Sequence, residues 1–229
     1  MKKMRKSILI AVALAAFTVL SSAGIWSSLS AAQAQEKTAS VKTQNAPVPA
    51  GTYKLDPAHS IIGFAIRHLE INWVEGRFKD FVGTINYNAE DVTRSTVEFT
   101  ATIESIDTGV DARNKHLKTA DFFDAAKYPA MTFKSTSIER RGKEGYMLNG
   151  DLTLKGVTKQ VSLPFTMTGA IKDPWGNTRF GVEAHAKINR RDFGINYGNE
   201  LPGGGLDVGN EVTINFQLEA MKPEPKPAG

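Results

Sequence analysis

The stretch STVEFTATIESI at residues 95–106 alternates apolar and polar side chains, and this alternation decides the fold class. Val97, Phe99 and Ala101 belong to its apolar set, and each is followed by a polar residue. A period of two is the pattern of a β-strand with one buried face. The pattern recurs along most of the chain after Thr52, which predicts about eight long strands joined in sequence by short turns.

Each predicted strand has one apolar face, which must be buried against another layer or by closing the sheet on itself. The sequence contains too little helix to cover such a sheet. Closure would also remove the exposed edges through which sheets aggregate. We therefore predict an all-β protein, a closed up-and-down antiparallel barrel of about eight strands. A two-sheet sandwich is the structural alternative.

An outer-membrane barrel has the same alternation, with its apolar face turned outward. Two features favour an apolar interior. A charged, Pro-rich tail at residues 222–229 follows the last strand, and aromatic residues are not gathered at strand ends. We therefore expect no stable membrane insertion. The mid-strand phenylalanines are Phe64, Phe99, Phe133, Phe165, Phe180 and Phe216.

The segment DARNKHLKTADFFDAAKYP at residues 111–129 interrupts the strand pattern. Asp111 and Asp121 can each cap a helical turn, and Pro129 ends the segment. We predict a short helical insert near residues 111–126, with one apolar and one cationic side. It is either a lid on the barrel or an ordinary crossover whose phenylalanines fill the core. Sequence alone does not establish whether it lies near the loop at residues 190–197.

The alternation shifts within residues 76–88, between Phe78 and Phe81. A β-bulge adds one residue to a strand and changes which face the following side chains occupy. We therefore predict a single bulged strand here.

The first 34 residues have the composition of an export signal. Four basic residues precede an apolar run at residues 8–20, and Ala32-Gln33-Ala34 matches a signal-peptidase site. We predict a signal peptide cleaved after Ala34 and a periplasmic protein; an uncleaved membrane anchor is the alternative. Residues 35–51 are mostly polar, which predicts a flexible leader before one barrel domain at residues 52–221.

Charge and cysteine content exclude several classes of function. The chain has 28 Lys+Arg and 24 Asp+Glu, and residues 1–34 contain four of the basic residues and no acidic one. The remainder is therefore formally neutral, so no positive field is left to favour nucleic acid. The absence of Cys excludes disulfides, a thiol nucleophile and thiolate metal ligands.

No catalytic or metal-binding constellation stands out. His59, His68, His116 and His185 lie on separate predicted elements, without the close His, Asp or Glu spacing that fixes a metal. We therefore predict no catalytic group, no metal site and no cofactor.

The predicted inner face mixes bulky side chains with small ones. An eight-stranded barrel is just wide enough to be filled by side chains or to hold one small ligand. Small residues on several strands favour a ligand, but Phe and Met side chains could equally fill the space. The small residues are Ala101, Ser135, Gly150, Gly169, Ala184 and Ala186.

Blocks of sequence from about Thr52 to about Ala220 resemble the YceI family in the same order. Asn114 departs from the pattern, since members often carry an acid after the preceding Arg. The matching blocks are TYKLD at 52–56 with HS at 59–60 and Phe64, GRF at 76–78, Arg113 with HL at 116–117, DFFD at 121–124, YP at 128–129, TF at 132–133, GDLTLKGVTK at 150–159, INR at 188–190 and DFG at 192–194.

This resemblance implies an exported, lipocalin-like barrel that binds a long isoprenoid, such as a polyprenyl phosphate or an isoprenoid quinone, in an apolar channel. It also implies a homodimer and no established enzymatic activity. It suggests wall residues Phe64, Phe133 and Leu152, and mouth residues at Arg113, His116, Asp192 and Phe193. With the inner-face positions, the predicted ligand-binding residues are Phe64, Ile66, His68, Phe99, Arg113, His116, Phe133, Leu152, Leu154, Phe165, Met167, Phe180, Asp192 and Phe193.

The sequence thus predicts a periplasmic lipid-binding protein that carries or sequesters an isoprenoid. Two alternatives belong to other classes. One is an enzyme that acts on a bound lipid with His68 or His116 as general base. The other is an interaction protein whose barrel is filled and binds no ligand.

Overall fold

β-Strands form nearly all the regular structure of residues 46–143 and 145–223, which the computed structural model describes. The predicted signal peptide, residues 35–45 of the predicted leader and residues 224–229 of the tail lie outside this part of the chain. One helix, α1 (Asp111–Leu117), lies between strands. The strands are β1 (Gly51–Leu55), β2 (Ile61–His68), β3 (Asn72–Phe78), β4 (Phe81–Tyr87), β5 (Thr96–Thr102), β6 (Ile106–Asp107), β7 (Ala130–Arg141), β8 (Gly145–Leu154), β9 (Val157–Met167), β10 (Ile171–Lys172), β11 (Thr178–Asn189) and β12 (Val208–Lys222).

Antiparallel pairing closes these strands into a barrel. β1 with β2, β3 with β4, β5 with β6, and β9 with β10 each form one interrupted strand, so the wall has eight strands paired in chain order. β12 completes the ring, because it pairs with β11 on one edge and with β1 and β2 on the other. The predicted closed up-and-down barrel is confirmed.

The apolar faces of the strands point into the barrel. Tyr53, Phe99 and Leu163 are buried, whereas Lys54 and Glu98 on the alternate positions are exposed. The alternation at residues 95–106 therefore marks which side chains reach the interior. Among the described residues, no helix is both long enough and apolar enough to cross a membrane.

The shift in alternation between Phe78 and Phe81 is a break between two strands, not a bulge within one. β3 ends at Phe78 and β4 begins at Phe81, and both rings are buried. On the neighbouring strand, a 3-10 turn at Ile103–Ser105 separates β5 from β6. The backbone N–H of Lys79 donates to the carbonyl of Ser105 at 3.2 Å, which holds the two breaks side by side.

Helix α1 is shorter than the insert predicted near residues 111–126. Its N-cap is Val110, Asp111 lies in its first turn, and the segment after Leu117 continues in hydrogen-bonded turns. Asp121 does not cap a second helix, because the residues that follow it form turns; its carboxylate pairs with Nε2 of His116 at 2.8 Å. Phe122 is nevertheless buried, as expected for the apolar side of the insert.

Residues 46–51, which the sequence assigns to a flexible leader, are part of the barrel domain. The N–H of Ala170 donates to the carbonyl of Ala46 at 2.8 Å, and the side chain of Val48 is only 6% exposed. The hydroxyl of Tyr53 donates to the carbonyl of Pro49 at 2.8 Å. Val41 and Val48 are the only bulky apolar residues of the predicted leader, and this pattern is too weak to predict such packing.

An ion network ties β1, β11 and β12 together. Nη1 of Arg179 contacts Asp56 at 2.6 Å and also Glu219, and Nε contacts Asp173 at 2.6 Å. Hydrogen bonds from His59 and Arg179 lower the pKa of Asp56 to about 2. Burial opposes the ionisation of Asp173, but hydrogen bonds led by that from Arg179 outweigh it and lower its pKa to about 2. Both carboxylates thus stabilise the fold above their unfolded pKa, and this contribution is lost as the pH falls from about 4 towards 2.

Replacing Arg179 by Gln should lower the free energy of unfolding by roughly 3 kcal/mol at pH 7, because three carboxylates lose their shared cation. The difference from the unaltered protein should shrink at pH 2.5, where the carboxylates begin to protonate. Urea unfolding at both pH values measures this.

Lys187→Gln on the same strand is the matched control. Its partner Glu211 is 2.6 Å away, but the two side chains are 61% and 57% exposed, so the change should cost less than about 0.5 kcal/mol. A loss for Arg179→Gln no larger than this would mean that the network adds nothing to stability.

Candidate ligand-binding site

A cavity of about 290 Å³ lies inside the barrel. Inward-facing side chains of the strands form its wall, with Phe64 and Ile66 from β2 and Leu152 from β8. The insert covers it with Leu117, Phe122 and Phe123, and the loop after β11 adds Ile195 and Tyr197. Strands therefore supply the walls, and the two non-strand segments supply the cover.

Three aromatic rings limit the depth of this cavity. Phe99 and Phe133 stack with ring centroids 5.6 Å apart, and Phe216 meets Phe99 edge-on at 5.8 Å. All three line both the main cavity and a second void of about 60 Å³. We call Phe99, Phe133 and Phe216 the aromatic partition, because they lie between the two spaces.

The structure brings most of the predicted ligand-binding residues to the main cavity. Phe165, Met167 and Phe180 face inward but line the second void, on the other side of the partition. Asp192 is exposed, and Phe193 is buried in the core, so neither lines the cavity. The predicted residues that do line it are Phe64, Ile66, His68, Phe99, Arg113, His116, Phe133, Leu152 and Leu154.

The small inner-face residues do not create the cavity, so that part of the sequence argument was wrong. A Cβ at Gly150 would clash with the ring of Phe133, which shows that the small residue makes room for the aromatic one. Ala184 lines the second void, and Gly169 lies in a groove with His59. None of Ala101, Ser135, Gly150, Gly169, Ala184 and Ala186 lines the main cavity.

The insert and the loop after β11 meet at the mouth of the cavity, a contact that sequence could not establish. The ring of Tyr197 lies 4.9 Å from that of His116 and 4.7 Å from that of Phe122, centroid to centroid. His116 also pairs with Asp121. These contacts support a lid over the barrel in preference to a simple crossover.

Side-chain hydrogen bonds hold α1 at this mouth. Arg113 donates through Nε to Oγ1 of Thr108 and through Nη2 to the carbonyl of Thr108, both at 2.8 Å. The Asn114 side chain accepts from the N–H and hydroxyl of Thr108, at 2.8 and 2.7 Å, and donates to Asp107 at 3.3 Å. An amide can accept and donate at once, so Asn114 can bridge Thr108 and Asp107.

Sequence reasoning missed Arg190 as a residue of the cavity. Arg190 lies in a 3-10 turn, Arg190–Phe193, and is only 3% exposed. It lines the cavity while its guanidinium donates to the carbonyls of Gly209, Ile195 and Val208 at 2.8 to 2.9 Å. The INR block at residues 188–190 belongs to the family resemblance, but it does not indicate that the Arg190 side chain points into the cavity.

Asp56, His59 and Glu219 place ligand atoms within 4.8 Å of one another, close enough for a metal ion. The guanidinium of Arg179 contacts both carboxylates, so it already supplies the positive charge that a metal ion would bring. This group lies among the residues of the ion network and does not line the main cavity.

Comparison with known proteins identifies the family. A protein-family model described as a YceI-like domain matches residues 53–220. The chain belongs to the YceI family. The resemblance in the ordered sequence blocks is thereby confirmed.

Relatives of this YceI-family chain agree with its fold. It is 44% identical over 148 residues to Protein YceI of Escherichia coli O6:H1, covering 64% of this chain and 77% of that protein. The crystal structure of BcnA from Burkholderia cenocepacia matches with a TM-score of 0.61 and 27% identity, covering 72% of this chain and 98% of that one.

A polyisoprenoid binding domain from Saccharophagus degradans, implicated in plant cell wall breakdown, also has a similar fold. It matches with a TM-score of 0.56 and 16% identity, covering 76% of this chain and 100% of that one. At this identity the likeness concerns the fold alone. The homodimer that the family resemblance implies stays a prediction.

Replacing Asn114 by Ala should loosen the start of α1, because Thr108 loses an acceptor and Asp107 loses a donor. We expect a loss of about 1–2 kcal/mol in the free energy of unfolding. We also expect faster amide hydrogen exchange at residues 108–117, where the lid joins the barrel. Urea unfolding and hydrogen exchange measure the two effects.

Asn86→Ala is the control, because Asn86 also makes side-chain hydrogen bonds but lies on the exposed outer face of β4. It should leave exchange at residues 108–117 unchanged. If Asn114→Ala behaved like this control, the bridge between Thr108 and Asp107 would not hold the lid.

Proposed function

We propose that this YceI-family protein binds a long isoprenoid lipid in the barrel cavity, as a periplasmic carrier or sequestering protein. The observation that carries the proposal is a cavity of about 290 Å³ whose inner lining is apolar and which is enclosed by a closed barrel. Ligand sites are typically concave, largely apolar and furnished with a few polar groups. The polyisoprenoid binding domain of similar fold supports this class of ligand, and the predicted signal peptide supports the location.

The energetics suit an isoprenoid chain. Burial contributes about 0.8 kcal/mol per methylene, so each five-carbon unit contributes roughly 3 to 4 kcal/mol before ordering costs. A few buried units therefore suffice for tight binding. The gain cannot add along a whole long chain, because affinities level off near 20 kcal/mol and chain ordering opposes binding.

The aromatic partition limits the length of isoprenoid chain that the barrel can enclose. The second void beyond Phe99, Phe133 and Phe216 is about 60 Å³, much smaller than the main cavity. A chain that fills the main cavity therefore meets closely packed rings. The rest of a longer isoprenoid would extend through the mouth or require these rings to move.

The arrangement of the histidines favours binding over catalysis on a lipid. His116 is engaged with Asp121 and with the rings of Phe122 and Tyr197, and His68 is an exposed residue at the end of β2. Among the described residues that line the cavity there is no Ser or Lys to act as a nucleophile beside either histidine, and Asp121, the partner of His116, is not part of the lining. The other alternative, an interaction protein whose barrel is filled, does not agree with the open cavity.

Val161→Trp should block binding, because Val161 is half-buried and lines the cavity, where an indole would occupy ligand space. We expect the affinity for both geranylgeraniol and geranylgeranyl phosphate to fall by about tenfold or more. Native mass spectrometry and displacement of a fluorescent prenyl probe measure it.

Val82→Trp is the matched control, since Val82 is 69% exposed on the outside of β4. It should bind both lipids as the unaltered protein does. Equal uptake by the two tryptophan variants would place the lipid outside the cavity. If the unaltered protein bound neither lipid, the proposed function would be wrong.

A further inference from the structure

Three large apolar side chains are exposed on the turn that joins β2 to β3. Ile71 is 79% exposed, Trp73 is 40% exposed and Leu69 is 38% exposed. Single apolar side chains scattered over a surface are ordinary, but these three fall within five consecutive residues. A cluster of this kind marks a surface that meets a partner or a membrane. We call residues 69–73 the β2–β3 tip.

The β2–β3 tip lies at the end of the barrel where the cavity opens. His68, the last residue of β2, lines the cavity. The backbone N–H of Leu69 donates to the carbonyl of Asp207 at 2.8 Å. The carboxylate of Glu70 accepts a hydrogen bond from the backbone N–H of Leu206 at 3.1 Å. The loop between β11 and β12, which also covers the cavity, therefore holds the tip in place.

The backbone of the tip adopts a conformation that its residues rarely take. Leu69 and Glu70 have φ angles of 52° and 58°, in the left-handed region that Gly and Asn enter most readily. Glycine at the first position would remove this cost, but it would also remove an exposed apolar side chain. Residues held in such sparsely populated conformations cluster at functional sites.

Trp73 has the surroundings of an aromatic residue at a membrane surface. Its cross-strand neighbour is Arg67, whose guanidinium lies over the ring, 4.6 Å from the centroid. Tryptophan is enriched where an apolar layer meets water, because its ring is apolar and its N–H is polar. Arginine can likewise bury its stem and keep its charge in water. The pair suits the head-group level of a bilayer, with Ile71 further along the tip.

The hairpin lacks the basic cluster that attracts anionic lipids. Besides His68, the ionisable side chains of residues 67–75 are Arg67, Glu70 and Glu75. Electrostatic attachment to a membrane requires several Lys or Arg residues close together. Apolar side chains must therefore supply most of any affinity for a bilayer. A few such side chains give weak and reversible association.

We propose that the β2–β3 tip docks the mouth of the barrel onto the surface of a phospholipid bilayer. This inference rests on the proposed function and names the partner that exchanges lipid with the cavity. An isoprenoid chain is far more stable in a bilayer than in water. Docking lets the chain pass between bilayer and cavity without crossing water. Ile71 and Trp73 would enter the interface while the barrel stays in water, and no segment would span the membrane.

Tryptophan fluorescence tests this docking, because the two tryptophans of the described residues lie at opposite ends of the barrel. Trp73 adjoins the start of β12, whereas Trp175 precedes the start of β11, which pairs with the end of β12. The third tryptophan, Trp26, belongs to the predicted signal peptide, so the test uses protein processed after Ala34.

The variants Trp175→Phe and Trp73→Phe then each report on one end of the barrel. Vesicles of phosphatidylethanolamine and phosphatidylglycerol should shift the emission of Trp73, in Trp175→Phe, to shorter wavelengths, because the indole leaves water. The emission of Trp175, in Trp73→Phe, should stay unchanged although Trp175 is 79% exposed.

Ile71→Glu should weaken association with the same vesicles about tenfold or more, because a charge replaces an apolar side chain at the interface. Ile171→Glu is the matched control, since Ile171 is 50% exposed on β10 at the other end of the barrel. It should associate as the unaltered protein does. Neither residue lines the main cavity, so both variants should bind geranylgeraniol in solution as before. Cosedimentation with vesicles and displacement of a fluorescent prenyl probe measure the two properties.

Equal vesicle association of the two glutamate variants would overturn the docking, and so would a shift in the emission of Trp175. Association that disappeared at high salt would also overturn it, because charged groups elsewhere would then hold the protein on the vesicle. If geranylgeraniol bound in solution but the unaltered protein did not associate with vesicles, the docking would be wrong and the proposed function would stand. The tip would then be assigned to a contact with another protein. If geranylgeraniol did not bind, the proposed function itself would fail.

Discussion

β12 closes the sheet into a barrel, and without this closure there would be neither a buried apolar interior nor a cavity. β12 pairs with β11 along one edge and with β1 and β2 along the other, so that the meander has no free edge along its closing strand. An open sheet of the same strands would expose its apolar face and its edge hydrogen-bonding groups to water. The chain has no cysteine, so neither closure nor stability is supported by a disulfide. Burial inside the ring must supply most of the stability.

The interior is divided into a packed part and an open part, and the division has a consequence for function. Gly150 makes room for the ring of Phe133 in the aromatic partition, and Ala184 lines the second void beyond it. On the other side of the aromatic partition, the wall stays apolar but is not filled, and the insert and the loop after β11 cover it. A cavity of this kind favours a chain-like apolar ligand, because binding replaces an unfilled apolar surface with contacts.

Much of the fold was predictable, because alternation is a local property of the chain. Residues 95–106 already show which side chains face inward, and eight such strands with one apolar face require closure. The site was only partly predictable. Phe64 and Phe165 both lie on the apolar face of an alternating strand, yet Phe64 lines the main cavity and Phe165 lines the second void. Periodicity shows which face of a strand points inward, but not how far along the barrel axis a side chain lies. The break at Lys79 was visible as a shift in parity but was mistaken for a bulge.

The antiparallel barrel, its apolar interior, the short interrupting segment and the family could all be inferred from the sequence, because they follow from patterns within a few residues of one another. The position of the cavity, the contact of Tyr197 with His116 and the place of Arg190 in the lining became visible only in the folded chain. These features come from contacts between residues far apart in the chain. Such contacts depend on the stagger of neighbouring strands and on which side chains fill the interior. Neither property appears as a periodic pattern in the sequence.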